Sequence, residues 1–247
     1  MRAGVFDSGI GGLSVLKSLL EHKLFSEIIY YGDTARVPYG IKDKNTIIRY
    51  GIEAVEFFKN FELDIIIVAC NTVSAYALDE MREASNIPII GVVEAGIEAT
   101  AKKLQDKNSN ILITGTKATI NSKTYEIGLQ NLGYKNLQAK ATGLFVPLVE
   151  EDIFDGVVLE AVLEYYFKGI KKPDAIILGC THFPLIADAI KNYFKDSVVL
   201  IHSGEAIVDQ LQKEFKLTPQ IGETELKFFA SENPDSLKAV AKKWLQK

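Results

Sequence analysis

Two short segments of this chain follow one pattern. Asp64-Ile-Ile-Ile-Val-Ala-Cys70-Asn71-Thr72 and Asp174-Ala-Ile-Ile-Leu-Gly-Cys180-Thr181-His182 each run from an acid through an unbroken apolar stretch to a cysteine with polar neighbours. The stretches are too short for a helix and apolar on both faces, which predicts strands buried in a parallel sheet. Both cysteines then stand at the carboxyl ends of strands, where open α/β sheets bind ligands. They are the only cysteines in the chain and lie 110 positions apart, which predicts one such site in each of two related halves. If the halves face each other, a small molecule between them meets a thiol on either side. Two opposed acid/base groups are what a stereochemical inversion at carbon requires.

The same alternation runs through the chain. Strands are predicted at 2–6, 27–31, 64–69, 88–92, 110–114, 174–178 and 198–201. Between them lie helical periods such as 43–61, which carries Ile47, Gly51, Ala54, Val55 and Phe58 on one face. Repeated strand–helix units make a mainly parallel sheet with helices on both sides. The predicted fold class is α/β: two pseudo-symmetric, open, mainly parallel lobes with the active site in the cleft between them. No Pro-, Gly- or Ser-rich linker separates the lobes, and the crossings are placed near 89–94 and 202–206. Residues 1–92 plus 207–247 then form the lobe carrying Cys70, and residues 93–206 the lobe carrying Cys180. Two short connections between lobes permit hinging.

Composition narrows the class of partner. With 47% hydrophobic and 24% charged residues in 247, the chain is close to the globular average. A net charge of −4 argues against nucleic acid or an anionic membrane surface as the main partner. No apolar stretch reaches the ~18–20 residues of a membrane span, and the N-terminus lacks a signal peptide's apolar core. A cytoplasmic location is expected, where cysteines stay reduced. The two cysteines and three histidines lack metal-ligand spacing, so no metal site is expected.

Further segments fall at predicted strand ends. Asp7-Ser8-Gly9-Ile10-Gly11-Gly12 opens a helix, so its glycines read as an anion cradle with a carboxylate at its lip. Asp7 and Ser8 read equally as a plain N-cap, and the third glycine of a dinucleotide fingerprint is missing. Pro38-Tyr39-Gly40 fixes a turn that can aim N–H groups into the cleft, or a surface loop with Tyr39 on its rim. Thr116 and Thr119 start another helix with hydroxyls that suit a carboxylate; Lys117 between them reads as a solvated charge. Residues 145–152 read as an apolar turn running into a solvated acidic run, from which Glu150 reaches the cleft and acts on His182. His22 reads as a surface residue and His202 as a rim or capping residue. The stretch around Val240 and Trp244 reads as a helix docked on its own lobe.

A single buried cysteine is usually an inert small hydrophobe. The pair carries more weight, because Asp7 is expected beside Cys70 and His182 beside Cys180. Three classes remain open on the residues alone: an isomerase using both thiols, a small-molecule binder without turnover, and a redox protein closing a Cys70–Cys180 disulfide.

With Asp7-Ser8-Gly9-Ile10-Gly11-Gly12, Pro38-Tyr39-Gly40, Cys70-Asn71-Thr72 and Gly179-Cys180-Thr181-His182 in this order, the chain closely resembles the glutamate racemases of the aspartate/glutamate racemase superfamily, nearly end to end. The resemblance implies two pseudo-symmetric α/β lobes, no cofactor, a homodimer, and D-glutamate made for peptidoglycan. It implies Cys70 and Cys180 as the two catalytic bases, with Asp7, His182 and Glu150 as their helpers. It also implies a pocket for L- or D-glutamate formed by Asp7, Ser8, Pro38, Tyr39, Gly40, Asn71, Thr72, Thr116, Thr119, Thr181 and His182. The histidine after Cys180-Thr181 favours glutamate over aspartate, whose racemases commonly carry Glu there. Activation through an N-terminal extension, found in some members, is not expected of a chain that opens on a strand pattern.

Overall fold

The computed structural model describes residues 1–195 and 197–246, and among these nine strands form two sheets in which every pairing is parallel. The first contains β1 (Arg2–Asp7), β2 (Glu27–Gly32), β3 (Ile65–Val68), β4 (Ile89–Gly91) and β9 (Glu225–Ala230), in the order β4-β3-β1-β2-β9. The second contains β5 (Asn110–Gly115), β6 (Asn136–Ala141), β7 (Ala175–Gly179) and β8 (Val199–Ile201), in the order β6-β5-β7-β8. From its opposite edge the second sheet runs β8-β7-β5-β6. Each of its strands therefore takes the place of the strand four earlier in the first sheet. β3 and β7, which lead into the two cysteines, are equivalent strands.

Strand order reverses between β1 and β3, and again between β5 and β7. Such switch points leave a crevice beyond the carboxyl ends of the strands. Cys70 and Cys180 both follow the strand that flanks one.

Helices cover the sheets. The chain continues from β1 into α1 (Leu13–Glu21), from β2 into α2 (Lys44–Phe58), from β3 into α3 (Asn71–Tyr76) and α4 (Leu78–Glu83), and from β4 into α5 (Val92–Lys103). The second half adds α6 (Lys117–Ser122), α7 (Thr124–Asn131), α8 (Phe145–Glu150), α9 (Gly156–Phe167), α10 (Ala187–Tyr193), α11 (Ser203–Glu214) and α12 (Pro234–Trp244). α2 buries Ile47, Gly51, Ala54, Val55 and Phe58, the face its periodicity predicts, and Asp43 caps it by accepting from Thr46 N at 3.0 Å. Trp244 is buried with Leu237 and Ala241, and α12 packs on β9 and α1.

The strands sort their side chains with a period of two. In β3, Ile65 and Ile67 enter a core that extends through α1, α5 and α11 into the second sheet, while Ile66 and Val68 face a second cluster under α2. All four are at most 1% exposed, and each such side chain stabilises the fold by roughly 1.5–3 kcal/mol. Cys70 continues the Ile66–Val68 face.

Three elements depart from the sequence reading. β6 and β9 lie at sheet edges, where half-exposed strands alternate polar with apolar residues instead of forming the apolar runs that mark central strands. Residues 145–150 form α8 rather than a turn; Pro147 is tolerated because it sits in the first helical turn, where no intrahelical N–H bond is required. Among the described residues, no helix is long and apolar enough to cross a membrane, and no cluster of three His, Cys, Asp or Glu is placed to hold a metal ion.

The approach to Cys180 is unusually close. Gly115 and Gly179 pair across β5 and β7, and a Cβ on Gly179 would overlap the Thr114 carbonyl oxygen. Gly179→Ala should therefore destabilise the protein by about 1–3 kcal/mol, the range for overpacking, read from urea unfolding. An unchanged midpoint would show that the strands part freely there.

Candidate active site

A cavity of about 330 Å³ opens where the carboxyl ends of both sheets meet. Its walls come from Ser8 and Gly9 after β1, residues 37–41 after β2, Cys70, Asn71 and Thr72 after β3, and Thr116 and Lys117 after β5. Gly143, Val146, Pro147 and Glu150 follow β6, and Cys180, Thr181 and His182 follow β7. Both thiols are free and buried, and both face this one space.

Their surroundings differ. Cys70 Sγ lies 3.4 Å from Ser8 Oγ, to which it donates. Burial pushes its thiol up, and the charge of Asp7 adds to that, to about 12. Cys180 Sγ lies 3.6 Å from His182 Nδ1, whose other nitrogen, Nε2, is 3.1 Å from Glu150 Oε1. Burial pulls His182 down, but its hydrogen bonds to Cys180 and Glu150 and their charges outweigh burial and raise it to about 10. His182 is thus an imidazolium at neutral pH, with both ring N–H groups as donors. A positive charge at that distance stabilises negative charge on the Cys180 sulfur.

Asp7 stands behind the cavity rather than in its wall. It is 1% exposed; Oδ2 accepts from Gly9 N at 2.9 Å and Oδ1 from the Thr181 hydroxyl at 3.4 Å. Burial raises its carboxyl, against the charge of His182 and the N–H groups of Gly9 and Gly12. The anion cradle expected at Gly9–Gly12 is corrected. Gly9 N is bound to Asp7, and the N–H groups of Leu13, Ser14 and Val15 return to the carbonyls of Ile10, Gly11 and Gly12. The space beside Gly11 is filled by the Thr181 hydroxyl and the His182 ring, 2.6 Å from where a Cβ would stand. This loop is a saddle for the opposite half, and only Ser8 and Gly9 face the cavity.

Thr72, Thr116 and Thr119 form a closed triangle of hydroxyls with sides of 2.9, 3.1 and 3.0 Å, joining α3 to α6. Thr119 is buried behind the other two, so Thr72 and Thr116 present the triangle to the cavity. Tyr39 is 2% exposed, not a rim residue, and its hydroxyl donates to Asp33. Gly40 lies so close to Thr116 that a Cβ would stand 2.6 Å from Thr116 Cβ. The loop after β2 thereby closes onto the other sheet's half.

This chain is similar to known racemases along its whole length. The Asp/Glu/Hydantoin racemase family model matches residues 14–211. The glutamate racemase of a Nitratiruptor species is 62% identical over 246 residues, covering 100% of this chain and 97% of that protein. The chain belongs to the Asp/Glu/Hydantoin racemase family. It is accordingly an amino-acid racemase, an isomerase. The crystal structure of glutamate racemase from Campylobacter jejuni subsp. jejuni is 56% identical and superposes with a TM-score of 0.98, covering 100% of this chain and 98% of that one. The glutamate racemase of Francisella tularensis subsp. tularensis, solved in complex with D-glutamate, is 34% identical with a TM-score of 0.87, covering 100% and 94%.

The racemase cavity also includes residues the sequence reading passed over. Val37, Ile41, Gly143, Val146 and Pro147 line it, as does Lys117, read from sequence as a solvated charge. Small and apolar residues in loops carry no periodicity, and no local signal marks them as site residues. Asp152, assigned to a solvated acidic run, is ion-paired with Lys243 of α12.

The raised pKa of His182 has a measurable consequence. A group raised above its ordinary 6.5 in the folded state contributes stability that is complete below about 6.5 and lost as pH rises through about 10. The difference in urea midpoint between the parent and His182→Asn should therefore shrink between these pH values. In proton NMR, His182 should titrate near 10 and lower in Glu150→Gln. A midpoint near 6.5 in the parent would overturn the imidazolium assignment.

Proposed function

We propose that this racemase interconverts L- and D-glutamate by two-base proton transfer at the α-carbon, without a cofactor, and supplies D-glutamate for peptidoglycan synthesis. The observation that carries the reading is the pair of buried thiols at equivalent strand ends, open to one cavity and held in opposite electrostatic settings. The glutamate racemases similar to the chain over its full length support the substrate. A cavity of about 330 Å³ is at the small end for ligand sites and suits a compact amino acid.

In this mechanism one cysteine removes the α-proton as thiolate while the other, as thiol, delivers a proton to the opposite face. The resting site favours Cys180 as base beside the His182 imidazolium and Cys70 as acid, since burial and Asp7 keep its proton on. After one turnover the two have exchanged states. His182 and Glu150 support the Cys180 side, while Asp7, with its raised affinity for a proton, supports the Cys70 side. Ser8 and Asn71 offer a hydroxyl and an amide donor to the substrate carboxylates, Thr72 or Thr116 gives a further donor once the substrate replaces one side of the threonine triangle, and Thr181, whose hydroxyl is spent on Asp7, lines the wall beside Cys180. Pro38, Tyr39 and Gly40 shape the wall, and Thr119 positions the other two threonines. The α-carbanion is stabilised by those donors, by the retained ammonium charge and by exclusion of water.

Closure takes place between a lobe of residues 1–92 plus 207–247 and one of residues 93–206. Free thiols suit a reducing, cytoplasmic setting. The expected assembly is a homodimer, which the exposed apolar Val157, Val158 and Tyr165 on α9 favour.

Proton NMR of the purified protein with L-glutamate in D2O should show loss of the α-proton signal in step with decay of optical rotation. At early times the product should carry deuterium while remaining substrate does not, as separate bases require. Reaction of aspartate in place of glutamate would overturn the substrate assignment. Cys70→Ser and Cys180→Ser should each lower kcat by at least ~10²-fold, the lower end for loss of a positioned acid or base. Near-parent turnover in either variant would remove the two-thiol mechanism.

A further inference from the structure

We propose that Tyr125 is a positioning residue that fixes the Asn71 side-chain amide with its carbonyl turned into the protein and an N–H left to donate to the substrate carboxylate, an inference that rests on the racemase reading above. Tyr125, on α7, is 2% exposed and does not line the cavity. Asn71, the residue after Cys70, does line it and is also 2% exposed. The Tyr125 hydroxyl donates to Asn71 Oδ1 at 2.7 Å, a contact from the second half of the chain to the first. Asn71 Nδ2 donates to Ser203 Oγ at 3.4 Å, and Ser203 Oγ donates to the Leu178 carbonyl at 3.4 Å.

The count of donors sets the orientation. A tyrosine has one O–H to give and an amide has two N–H groups and one carbonyl. With Tyr125 on the carbonyl and Ser203 on one N–H, the amide has a single N–H to offer a ligand. Were the amide reversed, its oxygen would meet a substrate carboxylate as acceptor against acceptor. Burial raises the Tyr125 hydroxyl well above its ordinary range, so it remains a donor at any pH at which the enzyme works.

The ring is held as tightly as the hydroxyl. A Cβ on Gly96 of α5 would lie 3.1 Å from it, and one on Gly179, the residue before Cys180, would lie 3.3 Å from it. Tyr125 thus touches the strand end that carries one thiol and bonds the residue that follows the other. It acts through Asn71 and meets no reacting atom.

The test is Tyr125→Phe, which keeps the ring and removes the donor. KM for L-glutamate should rise about three- to tenfold, the worth of one hydrogen bond, with kcat changed by less than about twofold. In an Asn71→Ala background the same substitution should change nothing further, since its route is gone. Unchanged KM in Tyr125→Phe, or effects that multiply in the double variant, would overturn the proposal. The side-chain amide of Asn71 gives an independent readout in the ligand-free protein by 15N–1H NMR. In the parent, NOEs from its two protons should reach Ser203 and not the Tyr125 ring, the orientation in which Oδ1 faces the tyrosine hydroxyl, and this pattern should be lost in Tyr125→Phe. If that variant does not fold, the parent decides alone: amide-proton NOEs to the Tyr125 ring in place of Ser203 would overturn the proposal, and NOEs to Ser203 support it. Turnover of glutamate by the parent tests the racemase reading separately, because the amide signals do not depend on it.

Discussion

The two halves of this racemase meet where Thr181 and His182 lie against Gly11, and the geometry of the cavity depends on that contact. A Cβ at Gly11 would overlap the Thr181 hydroxyl and stand 2.6 Å from the His182 ring, so a hydrogen there is what lets the loop after β7 reach the loop after β1. The Ser14 hydroxyl donates to the Thr181 carbonyl at 2.7 Å, and the Thr181 hydroxyl reaches Asp7. Cys180 and His182 flank Thr181 in sequence. Whatever seats Thr181 therefore seats the thiol and the imidazole together, opposite the strand end that carries Cys70.

Topology makes the halves alike and electrostatics makes them different. β3 and β7 occupy equivalent places, and each delivers a buried thiol to a switch point. Around Cys70 the strongest influences are burial and the Asp7 carboxyl, which hold its proton in place. Around Cys180 the near neighbour is an imidazole whose own charge is secured by Glu150 on its far side. Glu150 is partly exposed, so solvent tempers its share. The proposed two-base mechanism needs one thiol ready to give a proton and one ready to receive it. A symmetric scaffold with asymmetric neighbours is the arrangement such a mechanism would use.

How much was legible in the sequence follows from the kind of signal each element leaves. β3 and β7 are buried on both faces and read as apolar runs, and α2 shows the face it buries. β6 and β9 have one neighbour strand each and keep polar residues, so the same search passes over them. Cys70 and Cys180 announce themselves because the two patterns match. Tyr125 does not, since nothing in Lys123-Thr124-Tyr125-Glu126 sets it apart from any helix surface or core position. Its hydroxyl matters only because α7 brings it to Asn71 across 54 positions of chain.

The sequence by itself determined the strand–helix alternation, the repeat that places a thiol at a strand end in each half, and the polar residues beside each thiol. These are local properties, written in hydrophobic period and in immediate neighbours. Only the tertiary structure decided that Asp7 stands behind the cavity, that the glycine loop receives Thr181 and His182 instead of an anion, and that apolar residues from the loops after β2 and β6 close the walls. Such outcomes depend on how closely distant segments approach and on which hydrogen-bond donors are already spent. Neither quantity is a property of a segment alone.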